Sequence, residues 1–226
     1  LAGFLTVVVP AASRQLVSLA DAKDALSLAD DAQDAQVQKY IDRASALIAA
    51  EVRAPLGVEV LSEVFRLTPY PAAFVGPYGQ PLNARVKPIV LARSPVVSVS
   101  AVMDFGGTLD PANYECELGS GLLYRLWSGV RTAWTAPPVT VAYSAGYVLP
   151  DDLQPGAGPA LPLDIQQVCL DLITSAWMRK GRDIELQYEL VQDVGRNQYF
   201  PRTTSATMAL DEAMCAVLAP YVNRAW

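Results

Sequence analysis

Val139-Thr-Val-Ala-Tyr-Ser-Ala-Gly-Tyr147 is the stretch on which the reading of this chain turns. Its β-branched and aromatic residues predict a strand over 138–144. Behind it, 149–162 (Leu-Pro-Asp-Asp-Leu-Gln-Pro-Gly-Ala-Gly-Pro-Ala-Leu-Pro) is a proline- and glycine-rich connector. Then the period changes from two to 3.6. Ile165, Val168, Cys169, Leu172, Ile173, Ala176 and Trp177 stripe one face of a helix predicted over 163–180, with Asp164 in its first turn and Arg179 and Lys180 in its last. Gly181 follows as a C-cap candidate.

Upstream of the strand the same contrast runs in reverse. Val64 to Leu67, Ile89 to Ala92 and Val96 to Met103 are β-branched runs bounded by proline or glycine. In 97–103 one face is mostly apolar and the other carries Ser98 and Ser100, the pattern of a half-buried strand. Tyr114 to Leu118, the turn Gly119-Ser-Gly121 and Leu122 to Trp127 predict a hairpin. Further upstream, Ser18 stands three residues before Asp21, an N-cap worth roughly 1 kcal/mol to a short helix over 19–28. A longer helix is predicted to start at Asp30 or Asp31, with Val37, Tyr40, Ile41, Ala44, Leu47, Ile48 and Val52 on its buried face and Pro55 and Gly57 as its stop. Residues 4–9 favour a strand closed by Pro10.

At the other end, 184–194 alternates as a strand and 197–207 reads as a loop. A last helix over 209–221 carries Leu210, Met214, Val217 and Leu218, with Pro220 ending or kinking it. The expected fold class is α+β: a small helical bundle from the N- and C-terminal segments (1–57 and 160–226), an inserted antiparallel β region of five or six strands (58–148), and the 149–162 connector between them.

Composition narrows the function classes. A chain of 226 residues, 52% hydrophobic and 18% charged, has enough apolar surface to fold. Its net charge of -6 argues against sequence-specific duplex binding, which needs a basic face, yet suits a conduit that DNA passes without sticking. The chain has no histidine, which removes Ser-His-Asp and Cys-His catalysis and most zinc sites. Cys116, Cys169 and Cys215 have no CxxC spacing and read as small buried hydrophobes in a reducing compartment. The first dozen residues lack a basic region and meet Pro10, unlike a signal peptide, and no run approaches the length of a membrane span. A soluble, intracellular protein is expected.

Few residues carry recognisable chemistry. Asp30-Asp31 and Asp151-Asp152 have the form of acid–base or hard-cation pairs, but a helix start and a solvated turn explain them as well. Gly119-Ser-Gly121 and Gly156-Ala-Gly158 complete no phosphate-binding fingerprint. No G-x-S-x-G or S-x-x-K motif occurs. Arg179, Lys180 and Arg182 beside Trp177 have the chemistry for phosphate, although cations at a helix C-terminus need no ligand. Tyr70, Phe74 and Tyr78 sit among Pro69, Pro71, Pro77 and Pro81, either as a rigid docking surface or as packing against the β region. Trp226, with Tyr221 and Arg224, has the composition of a partner anchor. No catalytic residue, cofactor or metal is predicted.

In order and spacing these segments resemble the head-tail connector (adaptor) proteins of long-tailed bacteriophages and phage-like gene transfer agents. The resemblance rests on Val17-Ser-Leu-Ala-Asp-Ala-Lys-Asp-Ala-Leu26, Asp30-Asp31 and Ala54-Pro-Leu56 at the start. It continues through Tyr114, Gly121-Leu-Leu123, Trp134 and Val141-Ala-Tyr-Ser-Ala-Gly-Tyr147, then Pro162-Leu-Asp-Ile165 with Trp177 and Arg179, and closes on Leu218-Ala-Pro-Tyr221 with Arg224. Residues 58–110 lie outside it, and the β region departs from the compact, mostly helical members. The resemblance implies a non-enzymatic virion protein assembled in the bacterial cytoplasm. It would form a ring of twelve copies under the portal, continue the channel for double-stranded DNA, and carry a stopper or tail-completion protein. It also implies a C-terminal segment that docks on the portal. The rival from another class is a soluble α+β ligand-binding or enzymatic domain.

Overall fold

The computed structural model describes residues 3–66, 87–104, 107–134, 138–150, 158–180, 188–191, 195–198 and 208–223, with 188–191 and 195–198 as backbone. It is an α+β fold in which helices from the two ends of the chain flank a central antiparallel β region.

The helices come first in the core. Helix α1 (Leu19–Ala25) is capped as predicted: the Asp21 N–H donates to Ser18 Oγ at 3.1 Å, and the Ser18 hydroxyl donates to the Asp21 carboxylate at 2.7 Å. Helix α2 (Asp34–Val52) starts later than Asp30-Asp31 suggested. The reason is that Asp31 is engaged across the turn, where Lys23 Nζ meets Asp31 at 2.5 Å and Asp34 at 2.8 Å. These contacts raise the Lys23 pKa and lower that of Asp31. The stop also differs from expectation. Arg53 adopts the left-handed conformation (φ 59°) and ends α2 before Pro55 is reached.

Val37, Ile41, Ala44, Ile48 and Val52 are buried along α2, and Ile165, Val168, Cys169, Leu172, Ile173 and Ala176 along α3 (Leu163–Met178). They pack together with Leu16, Val17, Ala22, Leu26 and Leu218. Each fully buried large aliphatic contributes about 1.5–3 kcal/mol, so this cluster is a main source of stability. Helix α4 (Glu212–Leu218) is shorter than predicted. Asp211 Oδ1 caps it by accepting the Met214 N–H at 2.8 Å, and Pro220 lies in a 3-10 turn over Ala219–Tyr221. Val217, expected on the buried face, is exposed; Leu218 is the residue that turns inward.

Five strands, β1 (Phe4–Val9), β2 (Glu59–Phe65), β4 (Val96–Asp104), β5 (Gly107–Thr108) and β9 (Val139–Ala145), form an antiparallel sheet in the order β1-β2-β9-β4-β5. Facing it is a smaller sheet of β3 (Ile89–Val90), β7 (Leu122–Trp127), β6 (Tyr114–Glu117) and β8 (Val130–Thr132). The predicted hairpin is the β6–β7 pair, with Cys116 opposite Leu123. Leu61, Phe65, Val102, Leu123, Val139, Val141 and Tyr143 fill the space between the sheets. Strand β4 breaks the expected alternation. Register shifts between Val96 and Ser98 and between Val99 and Ala101 put Val96, Val99 and Val102 on the inner side, so every third residue points in. A further hairpin joins β10 (Tyr188–Val191) to β11 (Gly195–Gln198), so 197–198 is strand where a loop was expected.

The two cores meet at Gly146, the glycine of the quoted stretch. Its φ is +128°, and a Cβ there would overlap the carbonyl of Gly57. The approach lets Tyr147 N–H donate to the Leu56 carbonyl at 2.7 Å and aligns Gly57 with Tyr147 in a parallel bridge. Only glycine suits such a position.

Candidate functional site

The C-terminal segment crosses this same junction. After the 3-10 turn, the Tyr221 hydroxyl donates to Asp164 Oδ2 at 2.9 Å, which ties the turn to the start of α3. That hydrogen bond, with a smaller contribution from burial, raises the Tyr221 pKa. Two residues on, Asn223 N–H donates to the Val52 carbonyl at 2.9 Å and so satisfies one of the open acceptors at the C-terminus of α2. Its side-chain amide donates to the Ala92 carbonyl at 2.7 Å. One residue therefore clips a helix end to the β region. A cleft of about 480 Å³ opens beside it, lined by Leu56, Val90, Pro95, Tyr147, Tyr221 and Asn223 among others.

Of the residues singled out for docking, only Tyr221 falls within this geometry. Its hydroxyl is bonded to Asp164 at the surface, and the half-buried Tyr221 side chain packs against the helical core. Arg224 and Trp226 lie outside the described residues, as do Tyr70, Phe74 and Tyr78. The chain leaves the described region at Asn223, beside the cleft.

Several of the remaining candidates make contacts within the fold. Trp177 stacks edge-on with Tyr40 at 6.1 Å, and Lys180 Nζ lies 4.5 Å over the Trp177 ring and 3.4 Å from Gln33 Oε1. Arg182 is outside the described residues, as are Asp151-Asp152 and Gly156. Gly121 (φ +70°) serves the β6–β7 turn. The three thiols are free, but only Cys169 is fully buried; Cys116 and Cys215 are half-exposed, contrary to expectation. Burial pushes the Cys169 thiol up to about 12 against a hydrogen bond from Ser45, which leaves it inert as a nucleophile. Among the described residues no three Cys, Asp or Glu side chains are grouped to hold a metal ion, and no helix is long and apolar enough to cross a membrane.

Sequence reasoning missed a polar network inside the β core. Glu63, 1% exposed, accepts the Ala92 N–H at 3.0 Å and the Tyr143 hydroxyl at 3.0 Å. Desolvation raises the Glu63 pKa despite these donors and the nearby Arg93 charge, and desolvation together with Glu63 raises that of Tyr143. The signal was the alternation of Glu59, Leu61, Glu63 and Phe65, which puts two carboxylates on the face of β2 that carries the core. The network joins β2, β9 and the segment after β3, and it is enclosed rather than open to a substrate.

No protein-family model matches the chain, and no curated protein does. Among solved structures, it is similar to a chain in the neck of an empty GTA particle computed with C6 symmetry. The TM-score is 0.52 and the sequence identity 16%, covering 96% of this chain and 94% of that one. It is also similar to a chain in the neck of a native GTA particle computed with C12 symmetry, at a TM-score of 0.51 and 15% identity over 96% and 94% of the two chains. What is shared is the fold, and it is shared over the helical and β regions together.

Proposed function

We propose that this protein is a structural component of the neck of a phage-like particle, a head-tail connector that forms a ring beneath the portal. The observation that carries this reading is the whole-chain likeness in fold to neck chains of GTA particles. Residues 1–57 and 160–226 form the connector core and 58–148 the added β region, with β1 reaching into its sheet. In the ring, of twelve copies, the chain continues the passage for double-stranded DNA. A net charge of -6 favours such a passage, because phosphates find few cations to hold them. The segment after Asn223, with Arg224 and Trp226, docks on the portal, and Tyr221 anchors the base of that segment. Tyr70, Phe74 and Tyr78 face the next neck protein, a stopper or tail-completion protein. The chain performs no catalysis, and its place is the virion neck, assembled in the bacterial cytoplasm.

The test is capture by the cognate portal ring, followed by imaging of the complex. The full chain is expected to bind as a ring. A variant lacking 224–226 keeps the Asn223 and Tyr221 contacts, so it is expected to fold normally and lose capture. If no portal captures the full chain, the reading fails; if the shortened chain is captured equally well, the tail has no docking role.

A further inference from the structure

Among the described residues the five-stranded sheet has two open edges, and both are uncharged where they are open. At one edge lies β1, Phe-Leu-Thr-Val-Val-Val, with no charge and no proline inside it. Phe4 is 74% exposed and Val8 58%, and Val7 and Val9 are exposed as well. Natural edge strands are blunted by lysine, proline, bulges or a covering segment. Among the described residues β1 carries one such device, the register shift between Val7 and Val9. Among the described residues, nothing pairs with the outer side of β1.

At the opposite edge β5 covers β4 only at Met103 and Asp104, and the Leu109 N–H adds a bond to the Val102 carbonyl at 2.8 Å. The Val96 N–H is taken by the Leu118 carbonyl at 2.7 Å. Between these points, residues 98–101 (Ser-Val-Ser-Ala) have no outer partner among the described residues and carry no charge. β1 thus offers an uncharged stretch of six residues, and β4 a shorter one, 98–101, that carries a register shift between Val99 and Ala101.

Direction allows a pairing that uses both edges. β1, β2, β9 and β4 alternate, so β1 and β4 run opposite ways. A second copy in the same orientation therefore presents its β1 antiparallel to the β4 of the first, and the ladder continues. Pairing β1 with β1 would be two-fold, close as a dimer and leave both β4 edges bare. Head-to-tail pairing instead propagates, and closes where the rotation between copies allows. We infer that the occupant of the β1 edge is the β4 edge of a second copy of this chain, so that neighbouring subunits share one continuous sheet. The choice of closed ring over open filament rests on the connector reading above; the contact itself does not.

The experiment is edge complementation, read by mass in solution. One variant carries Phe4→Lys with Val8→Lys, the other Ser98→Lys with Ser100→Lys; all four side chains are exposed. Thermal melting checks each fold, and Val8→Lys alone, at the register shift, serves if a double variant melts early. Wild-type chains are expected to form oligomers and each blocked variant to stay monomeric. An equal mixture of the two is expected to stop at dimers, since one bare β1 meets one bare β4. Blocked variants that assemble like wild type, a mixture with no dimer, a wild type monomeric at every concentration, or a β4-blocked chain that dimerises alone would each overturn the inference. Portal capture is measured separately, so the connector reading and this contact can fail independently.

Discussion

The helical core and the β core hold together differently. Around α2 and α3 the buried set is apolar apart from Ser45, whose hydroxyl accepts the Leu16 N–H at 3.1 Å and bonds Cys169. Between the sheets, the packing surrounds a buried carboxylate, a buried tyrosine and the half-open pair Arg125–Asp104 at 3.7 Å. The first core depends on volume, and the Cys169 thiol within it, pushed up to about 12, responds to pH only on the alkaline side. The second also holds buried polar groups, and there breaking a bond in a low-dielectric interior is costly. A protein built this way has one half that tolerates conservative apolar exchange and one that specifies a single arrangement.

The largest expected effect that tests this contrast is a cavity in the helical half. Ile41→Ala, at a fully buried position, should lower unfolding free energy by about 3 kcal/mol by denaturant titration, with the same loss at every pH. A loss that varied with pH would break the distinction.

Next comes Glu63. Glu63→Ala leaves the Tyr143 hydroxyl and Ala92 N–H unpaired and should cost about 2 kcal/mol. Glu63→Gln sharpens the point through pH. The folded pKa of Glu63 is raised above the ordinary 4.5, so the native state holds this proton more tightly than the unfolded chain does. Its contribution is complete below 4.5 and is lost as pH climbs through the raised folded value. Asp104 is raised by the same desolvation and titrates in the same sense. Wild type should therefore lose stability relative to Glu63→Gln as pH rises above 4.5, and parallel curves would remove Glu63 as the source.

The smallest effect lies at the seam. Asn223→Ala removes the amide bond to Ala92 while keeping the backbone bond to Val52, and should cost about 1 kcal/mol in thermal melts. The two halves should then exchange amide protons less as one unit. An unchanged exchange pattern would mean that the other contacts at the seam, Gly57–Tyr147 among them, suffice to couple the halves.

Much of this arrangement was legible because its signals are local. The stripes of α2 and α3 follow the 3.6-residue period, Ser18 lies the right distance from Asp21, and Gly119-Ser-Gly121 marks its hairpin. The misses are places where a distant group decides. Asp31 leaves the start of α2 because Lys23 claims its carboxylate. Two bulges in β4 move the buried set to Val96, Val99 and Val102, and a bulge is a property of the pair of strands rather than of one. The buried place of Glu63 depends on Tyr143 and Ala92, far away in the sequence. Of the candidate docking residues, Tyr221 alone can be placed, and its bond to Asp164 crosses from one end of α3 to the end of the chain.

By itself, then, the sequence determined the α+β class, the main helix faces and the hairpin, because periodicity and turn chemistry act over a few neighbouring residues. It also excluded histidine-based catalysis outright. Tertiary structure alone decided that β1 pairs with β2 across the intervening helices and that Asn223 joins the two cores. It alone left the β1 edge and residues 98–101 of β4, at opposite edges of one sheet, without an outer partner among the described residues. Those features arise from backbone groups meeting over long separations, and backbone donors and acceptors are the same at every residue type but proline.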